Sequence, residues 1–186
     1  MNNPTVFKRA LKGLQTDAAI ASLRGIKHGV EREALRISPT GQLSQVPHPE
    51  KLGSALTHDT ITTDFSEALL EFITPPESDP AVTLQQLYDI HKFTLSHMGD
   101  EALWPMSMPC YVDGESRIPI ADYGTSNVGR MKKTYRVGLK NRYGAMMQAI
   151  AGIHFNFSLP DEFWDHYAEV KGAENSVEFQ SQSYFN

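Results

Sequence analysis

One cysteine, Cys110, stands among 186 residues, so neither an intramolecular disulfide nor a cysteine-rich metal site is possible, and a reducing cytoplasm is the expected compartment. No apolar run approaches the length of a membrane span, and no charged-then-apolar leader with a small-residue cleavage site opens the chain, so a soluble protein with no membrane partner is expected. Low-complexity tracts are missing, and with 40% hydrophobic and 21% charged residues a folded core is expected rather than disorder. Also missing are the phosphate-cradling G-x-x-x-x-G-K-[ST], the dinucleotide-binding G-x-G-x-x-G and the nucleophile elbow G-x-S-x-G. A net charge of -5 argues against nucleic acid as a partner. No repeat or linker-like shift divides the chain, so 1–186 is read as a single unit.

What is there reads as mixed helix and strand. Residues 4–23 predict one or two short helices, with Val6, Ala10, Leu11 and Leu14 at helical spacing and Gly13 interrupting. Period-two alternation predicts a strand over 26–37, closed by the turn Ser38-Pro39-Thr40-Gly41. The stretch 60–74 predicts a strand near 67–74, stopped by Pro75-Pro76. Asp79-Pro80 opens a predicted helix over 80–98 whose packed stripe is Leu84, Leu87, Tyr88, His91 and Leu95. Residues 100–126 read as loop. A second long helix is expected from Ser126 to about 149, and its Gly129, Gly138 and Gly144 suggest close approach to a neighbour. "IAGIHFNFS" (150–158) predicts a strand over 152–159, with Ile153, Phe155 and Phe157 on one face and His154, Asn156 and Ser158 on the other. Residues 161–169 read as helix. The chain stops at "SQSYFN" without a cap or polar tail, so a truncated segment is expected.

Three predicted strands carry the chemistry. Glu31 and Glu33, two apart, project from one face and would repel each other unless paired. The strand 67–74 offers Glu67, Leu69 and Glu71 on one face, with Asp64 just before it, and His154 and Asn156 repeat the spacing of two. Each pair alone reads first as a solvated, ion-paired face or, for His154 and Asn156, as satisfied buried polar groups. Together they present hard oxygen donors with an imidazole and an amide, a set suited to Mg²⁺ or Mn²⁺ rather than Zn²⁺, with a nucleotide as the natural companion. The basic run 129–144 carries Arg130, Lys132, Lys133, Arg136, Lys140 and Arg142. Lys132, Tyr135, Arg136 and Leu139 fall on one helical face, where Arg136 either grips a carboxylate or phosphate or makes a surface salt bridge. Cys110 reads as a packed, inert thiol, and His58, His91 and His97 have no evident partners.

The segments "GVEREALR" (29–36), "ITTDFSEALLEFITP" (61–75), "MGDEALWPMSMPCY" (98–111), "YGTSNVGRMKKTYRVGLKNRYGAMMQ" (123–148) and "IAGIHFNFS" together resemble the bacterial glutamate–cysteine ligase (gamma-glutamylcysteine synthetase) family. The resemblance implies an α+β fold: a curved antiparallel sheet packed with helices, a glutamine synthetase-like funnel that is incomplete here. It implies ATP-dependent joining of the gamma-carboxylate of glutamate to the amine of cysteine through an acyl phosphate, the first step of glutathione biosynthesis. Carried across by position, the metal ligands are Glu31, Glu33, Asp64, Glu71, His154 and Asn156. The cysteine-side pocket is Phe65, Tyr135, Leu139 and Gln148, with Arg136 beside it for an anion. No single catalytic side chain is singled out. Family members continue well past residue 186, where a further metal carboxylate, a phosphate-stabilising arginine and much of the nucleotide pocket lie. The chain is therefore expected to be an amino-terminal portion of the catalytic domain, inactive alone. The alternative is a non-catalytic metal- or amino-acid-binding fragment.

Overall fold

The computed structural model describes residues 4–185, with the side chains of Pro4 and Val6 excepted, so the reading of Val6 lies outside the described residues. In chain order the elements are α1 (Pro4–Gly13), α2 (Asp17–Ser22), β1 (Lys27–Ile37), β2 (Ile61–Thr63), β3 (Leu69–Ile73), α3 (Pro80–Leu95), β4 (Ala102–Leu103), α4 (Asn127–Tyr143), β5 (Ile153–Ser158), α5 (Asp161–Lys171) and α6 (Val177–Phe185), with single 3-10 turns between some of them. They form two compact units. One comprises residues 1–28, 77–79 and 157–186, the other 29–76 and 80–156. No helix among the described residues is long and apolar enough to cross a membrane.

In the first unit α1 and α2 pack on α5. Gly13 ends α1 where a Cβ would lie 2.8 Å from the Val170 methyls, and Thr16 caps α2 by accepting from Ala19 N. Phe163, Trp164 and Tyr167 form an aromatic cluster on α5, and Phe179 of α6 packs on Tyr167.

The second unit holds an open antiparallel sheet in the order β2-β3-β1-β4, with β5 also pairing β1. Helix and antiparallel strand are thus mixed as expected. Where β1 and β3 are long enough, both faces are covered: Leu35 and Leu69 enter one core cluster with Phe65 and Ile118, Ala34, Leu70 and Phe72 another with Ile61 and Leu52. Fully burying one such side chain stabilises by about 1.5–3 kcal/mol. Towards residues 31–33 the first face loses its cover, and there the half-buried Glu31 and Glu33 emerge.

Four expectations need correction. Residues 60–74 are a hairpin: the strand expected near 67–74 is β3, and the β2 strand before it was not expected. The turn carries no Gly, Pro or Asn to announce it. It is held from outside, by Ala121 N donating to Phe65 O, Glu67 N to Pro119 O and Ser66 Oγ to Pro119 O. Glu67 therefore leaves the strand face, and its carboxylate accepts from His48 N (3.0 Å) and Asp122 N (2.8 Å).

The stripe of α3 is also different. Thr83 and Thr94 are buried, with Leu87 and Ile90 packed on the core, while Leu84, Tyr88 and Leu95 are 62%, 62% and 47% exposed. The two stripes lie one residue apart, about 100° round the axis, and small threonines permit the closer approach to β3. His91 stays on the packed side, its ring 4.5 Å from Phe72, its Nδ1 donating to Leu87 O and its Nε2 accepting from Arg32 Nη1 at 2.5 Å.

The helix from Ser126 ends at Tyr143. Gly144, at φ 80°, caps it, and a 3-10 turn follows at Met147–Ala149. Gly129 meets a neighbour closely, but a Cβ at Gly138 would meet nothing within 4 Å. Finally, the stretch 100–126 read as loop contains β4, which pairs Arg36 with Leu103 and Ile37 with Ala102.

Arg36 is fully buried. Its Nη1 pairs with Glu101 Oε2 at 2.6 Å, and its Nη2 donates to Val46 O and Glu67 O. Removing one partner leaves an uncompensated interior charge. We expect Glu101→Ala to lower unfolding free energy by about 3–5 kcal/mol, measured by urea denaturation, and Arg36→Met with Glu101→Leu to recover much of it.

Candidate active site

β1 and β3 are locally ordinary strands whose register decides the site. Glu33 lies directly opposite Glu71, and Glu31 opposite Ile73. Like charges facing each other across a ladder are destabilising, so the pairing persists only because the flanking apolar positions fix it. The hairpin turn begins at Asp64, whose N–H donates to Leu69 O at 3.0 Å and whose charge is felt by both Glu33 and Glu71. β5 supplies the remaining groups. His154 Nδ1 lies 3.3 Å from Glu31 Oε2 and its Nε2 3.9 Å from Glu33 Oε1, while Asn156 Nδ2 donates to Glu31 Oε1 at 3.0 Å. The six residues read as a constellation are thus neighbours on one sheet face.

Burial and mutual repulsion mark the electrostatics. Desolvation, then the charges of Asp64, Glu33 and Glu31, pushes Glu71 up to about 7. Glu33 is also raised, chiefly by desolvation, with a bond from Gly152 N opposing. Among the described residues no Lys or Arg forms an ion pair with any of the four carboxylates. The solvated-face reading, in which basic side chains across the sheet neutralise Glu31 and Glu33, is therefore not what the fold builds. Among the described residues no group of three His, Cys, Asp or Glu side chains is arranged to hold a metal ion. The donor chemistry still fits a hard divalent cation: oxygen-rich, short of positive charge and partly desolvated.

Neither face of β5 is buried, contrary to what an apolar face suggests: Ile153, Phe155 and Phe157 are 69%, 63% and 49% exposed. Sequence reasoning also missed Gly152. Its N–H donates to Glu33 Oε2 at 2.7 Å, and its carbonyl accepts from Glu33 N at 3.0 Å. A Cβ there would stand 3.1 Å from His154 Nε2, so the glycine makes room for the imidazole. A glycine at a strand's edge is itself the signal of such a close approach.

The second group of expected residues is less gathered. Phe65 is 1% exposed, inside a core cluster against which Leu139 packs. Tyr135, one turn before Leu139, is 63% exposed, and Gln148 is half-buried in the 3-10 turn. Among the described residues Arg136 does not form the surface salt bridge that was one of its two readings. Its Nε donates to Asp64 O at 2.5 Å and its Nη1 to Lys132 O at 3.0 Å, so its charge faces no carboxylate partner. Of the rest of the basic run, Lys133 pairs with Asp122 at 2.5 Å. Cys110 is buried, which pushes its thiol up and leaves it a packed side chain. His58 has a role, its Nδ1 accepting from Thr60 N and Ile61 N at the start of β2.

The family model for glutamate–cysteine ligase matches residues 11–186. The chain belongs to the glutamate–cysteine ligase family. It is 58% identical over 163 residues to a glutamate–cysteine ligase of Sodalis glossinidius, covering 88% of this chain and 31% of that protein. Against the glutamate–cysteine ligase of Pseudoalteromonas translucida it is 55% identical over 176 residues, 94% of this chain and 34% of the relative. A crystal structure of glutamate–cysteine ligase from Francisella tularensis in complex with AMP superposes with a TM-score of 0.78 at 42% identity, over 83% of this chain and 31% of that one. A bifunctional glutathione synthetase from Pasteurella multocida gives 0.70 at 28% identity, over 94% of this chain and 21% of that one. The chain spans about a third of the length of the curated relatives it matches.

Glu71 supplies a test of this ligase-family cluster. A carboxyl whose folded pKa is raised contributes stability that is full below 4.5 and lost as pH rises through about 7. We expect the carboxyl carbon resonance of Glu71 to titrate near 7, and Asp64→Asn to lower that midpoint. Relative to Glu71→Gln, the wild type should lose unfolding free energy across the same window. A midpoint in the ordinary glutamate range would contradict the crowding.

Proposed function

We propose that this chain carries the amino-terminal portion of a glutamate–cysteine ligase catalytic domain, spanning residues 1–186, and contributes its acidic half-site. The convergence of Glu31, Glu33, Asp64 and Glu71 with His154 and Asn156, without a basic counter-ion, supports the reading. The sheet is then one wall of a glutamine synthetase-like funnel, curved with α3 behind it and the carboxylates inside. The AMP-bound relative supports ATP as a substrate.

The reaction is ATP-dependent ligation of the gamma-carboxylate of glutamate to the amine of cysteine. Glu31, Glu33, Asp64, Glu71, His154 and Asn156 would hold Mg²⁺ or Mn²⁺, with Glu31 and Glu33 exchanging their present bonds to Asn156, His154 and Gly152 for the ion. When bound, such an ion neutralises charge on the phosphoryl group in transfer to glutamate. Asn156 and Gly152 orient the carboxylates beforehand. Arg136, tied to the Asp64 carbonyl, keeps its remaining N–H groups and its charge for an anionic substrate group. Leu139, packed on the core cluster that holds Phe65, would with the exposed Tyr135 and half-buried Gln148 offer a surface for the cysteine side chain. A single buried thiol at Cys110 suits a reducing cytoplasm.

A second reading, a non-catalytic metal- or amino-acid-binding fragment, keeps the same acidic cluster without the ligation step. Two measurements separate them from a scaffold without a site. Calorimetry should show Mg²⁺-dependent ATP binding that is lost in Glu31→Gln with Glu33→Gln, and equal titrations would count against the metal role. The purified chain should release no ADP in response to glutamate plus cysteine. Release that needs both amino acids would show the fragment to be a complete catalyst.

A further inference from the structure

Tyr123 lies just before α4 and is 6% exposed. Its hydroxyl donates to Thr63 O at 2.6 Å, with Asp64 O at 3.2 Å, and accepts from Thr63 Oγ1 at 3.1 Å. Its ring carries two cations, Arg136 Cζ at 4.8 Å and Lys132 Nζ at 5.0 Å from the centroid. Arg136 Nε then returns to Asp64 O at 2.5 Å. Hydroxyl and guanidinium therefore close on the same stretch of main chain, the start of the turn that presents the Asp64 carboxylate. The first turn of α4 presses on Tyr123 as well: a Cβ at Gly129 would come within 2.5 Å of Tyr123 O. Burial raises the phenol's pKa, so the hydroxyl remains a donor.

We propose that Tyr123 is a positioning residue that fixes the Asp64 turn of the acidic site and holds Lys132 and Arg136 in register with it. The inference rests on reading that site as one for a divalent cation. A phenylalanine would fill the same space among Ala55, Ala121 and Leu56. What it lacks is the hydroxyl that both donates to and accepts from Thr63. Lys132 and Arg136, four apart on one helix, repel, and the negative face of the ring offsets that repulsion. Groups that orient a metal ligand from behind typically change metal affinity by about 10–100-fold when removed.

The test uses this chain, with Mn²⁺ alone as probe and the free ion counted by electron paramagnetic resonance. Wild type should bind Mn²⁺, Glu33→Gln should bind it far more weakly, and Tyr123→Phe should weaken it about 10-fold while still melting cooperatively. A purely structural role would lower the melting temperature of Tyr123→Phe and leave the affinity of the folded protein unchanged. Wild-type affinity in Tyr123→Phe, with Glu33→Gln weakened, overturns the positioning role and leaves the cation site standing. No Mn²⁺ binding by the wild type overturns the cation site and this inference with it. Should the phenylalanine variant not fold, Thr63→Val removes only the bond donated to the hydroxyl. It should weaken binding in the same direction, and unchanged affinity there would also overturn the role.

Discussion

Repulsion among four carboxylates on one sheet face is the constraint to which the second unit is built. Two unit charges about 4 Å apart near a protein surface cost on the order of 4 kcal/mol, and Glu33 faces Glu71 directly across the ladder. Nothing local in either strand favours that arrangement. It is held by the apolar positions on both sides, Leu35 with Leu69 on the same face and Ala34, Leu70 and Phe72 on the other. The sheet's packing thus sustains a charge distribution that the isolated strands would avoid, and burial, with the neighbouring carboxylates adding to it, raises the pKa of Glu71.

Several features follow from that constraint. A hairpin turn without glycine or proline needs outside support, which the 119–121 segment supplies, and this places Asp64 at the mouth of the cluster. Gly152 gives Glu33 its amide and gives His154 its space. Behind the sheet, Arg32 and Arg36 point away from the carboxylates, to His91 and Glu101. The two faces of β1 therefore carry opposite charge, and their alternation keeps the arginines from neutralising the site. A site left short of positive charge fits the proposed phosphoryl-transfer role, in which a bound cation would supply that charge.

Much of this was legible in the sequence. The period of two in 26–37 and 152–158 placed Glu31 with Glu33 and His154 with Asn156, and both strands stand within a residue or two of their expected bounds. The donor types led to the proposed divalent cation. Less legible were the hairpin over 61–73, whose turn is stabilised by residues some fifty positions away, and the packed stripe of α3, a helix apolar enough to offer two faces. Tyr123 carried no signal, since its partners Thr63, Lys132 and Arg136 meet only after the α4 start docks on the β2 end.

By itself the sequence determined which groups each strand presents and on which side, because side-chain alternation along a strand is a property of the local backbone. Only the tertiary structure decided that Glu33 meets Glu71, that Glu67 turns away to cap the amides of His48 and Asp122, and that Arg136 ends on the Asp64 carbonyl. Those choices depend on register and docking, set by how apolar surfaces distant in the chain fit together, and no short stretch of residues encodes them.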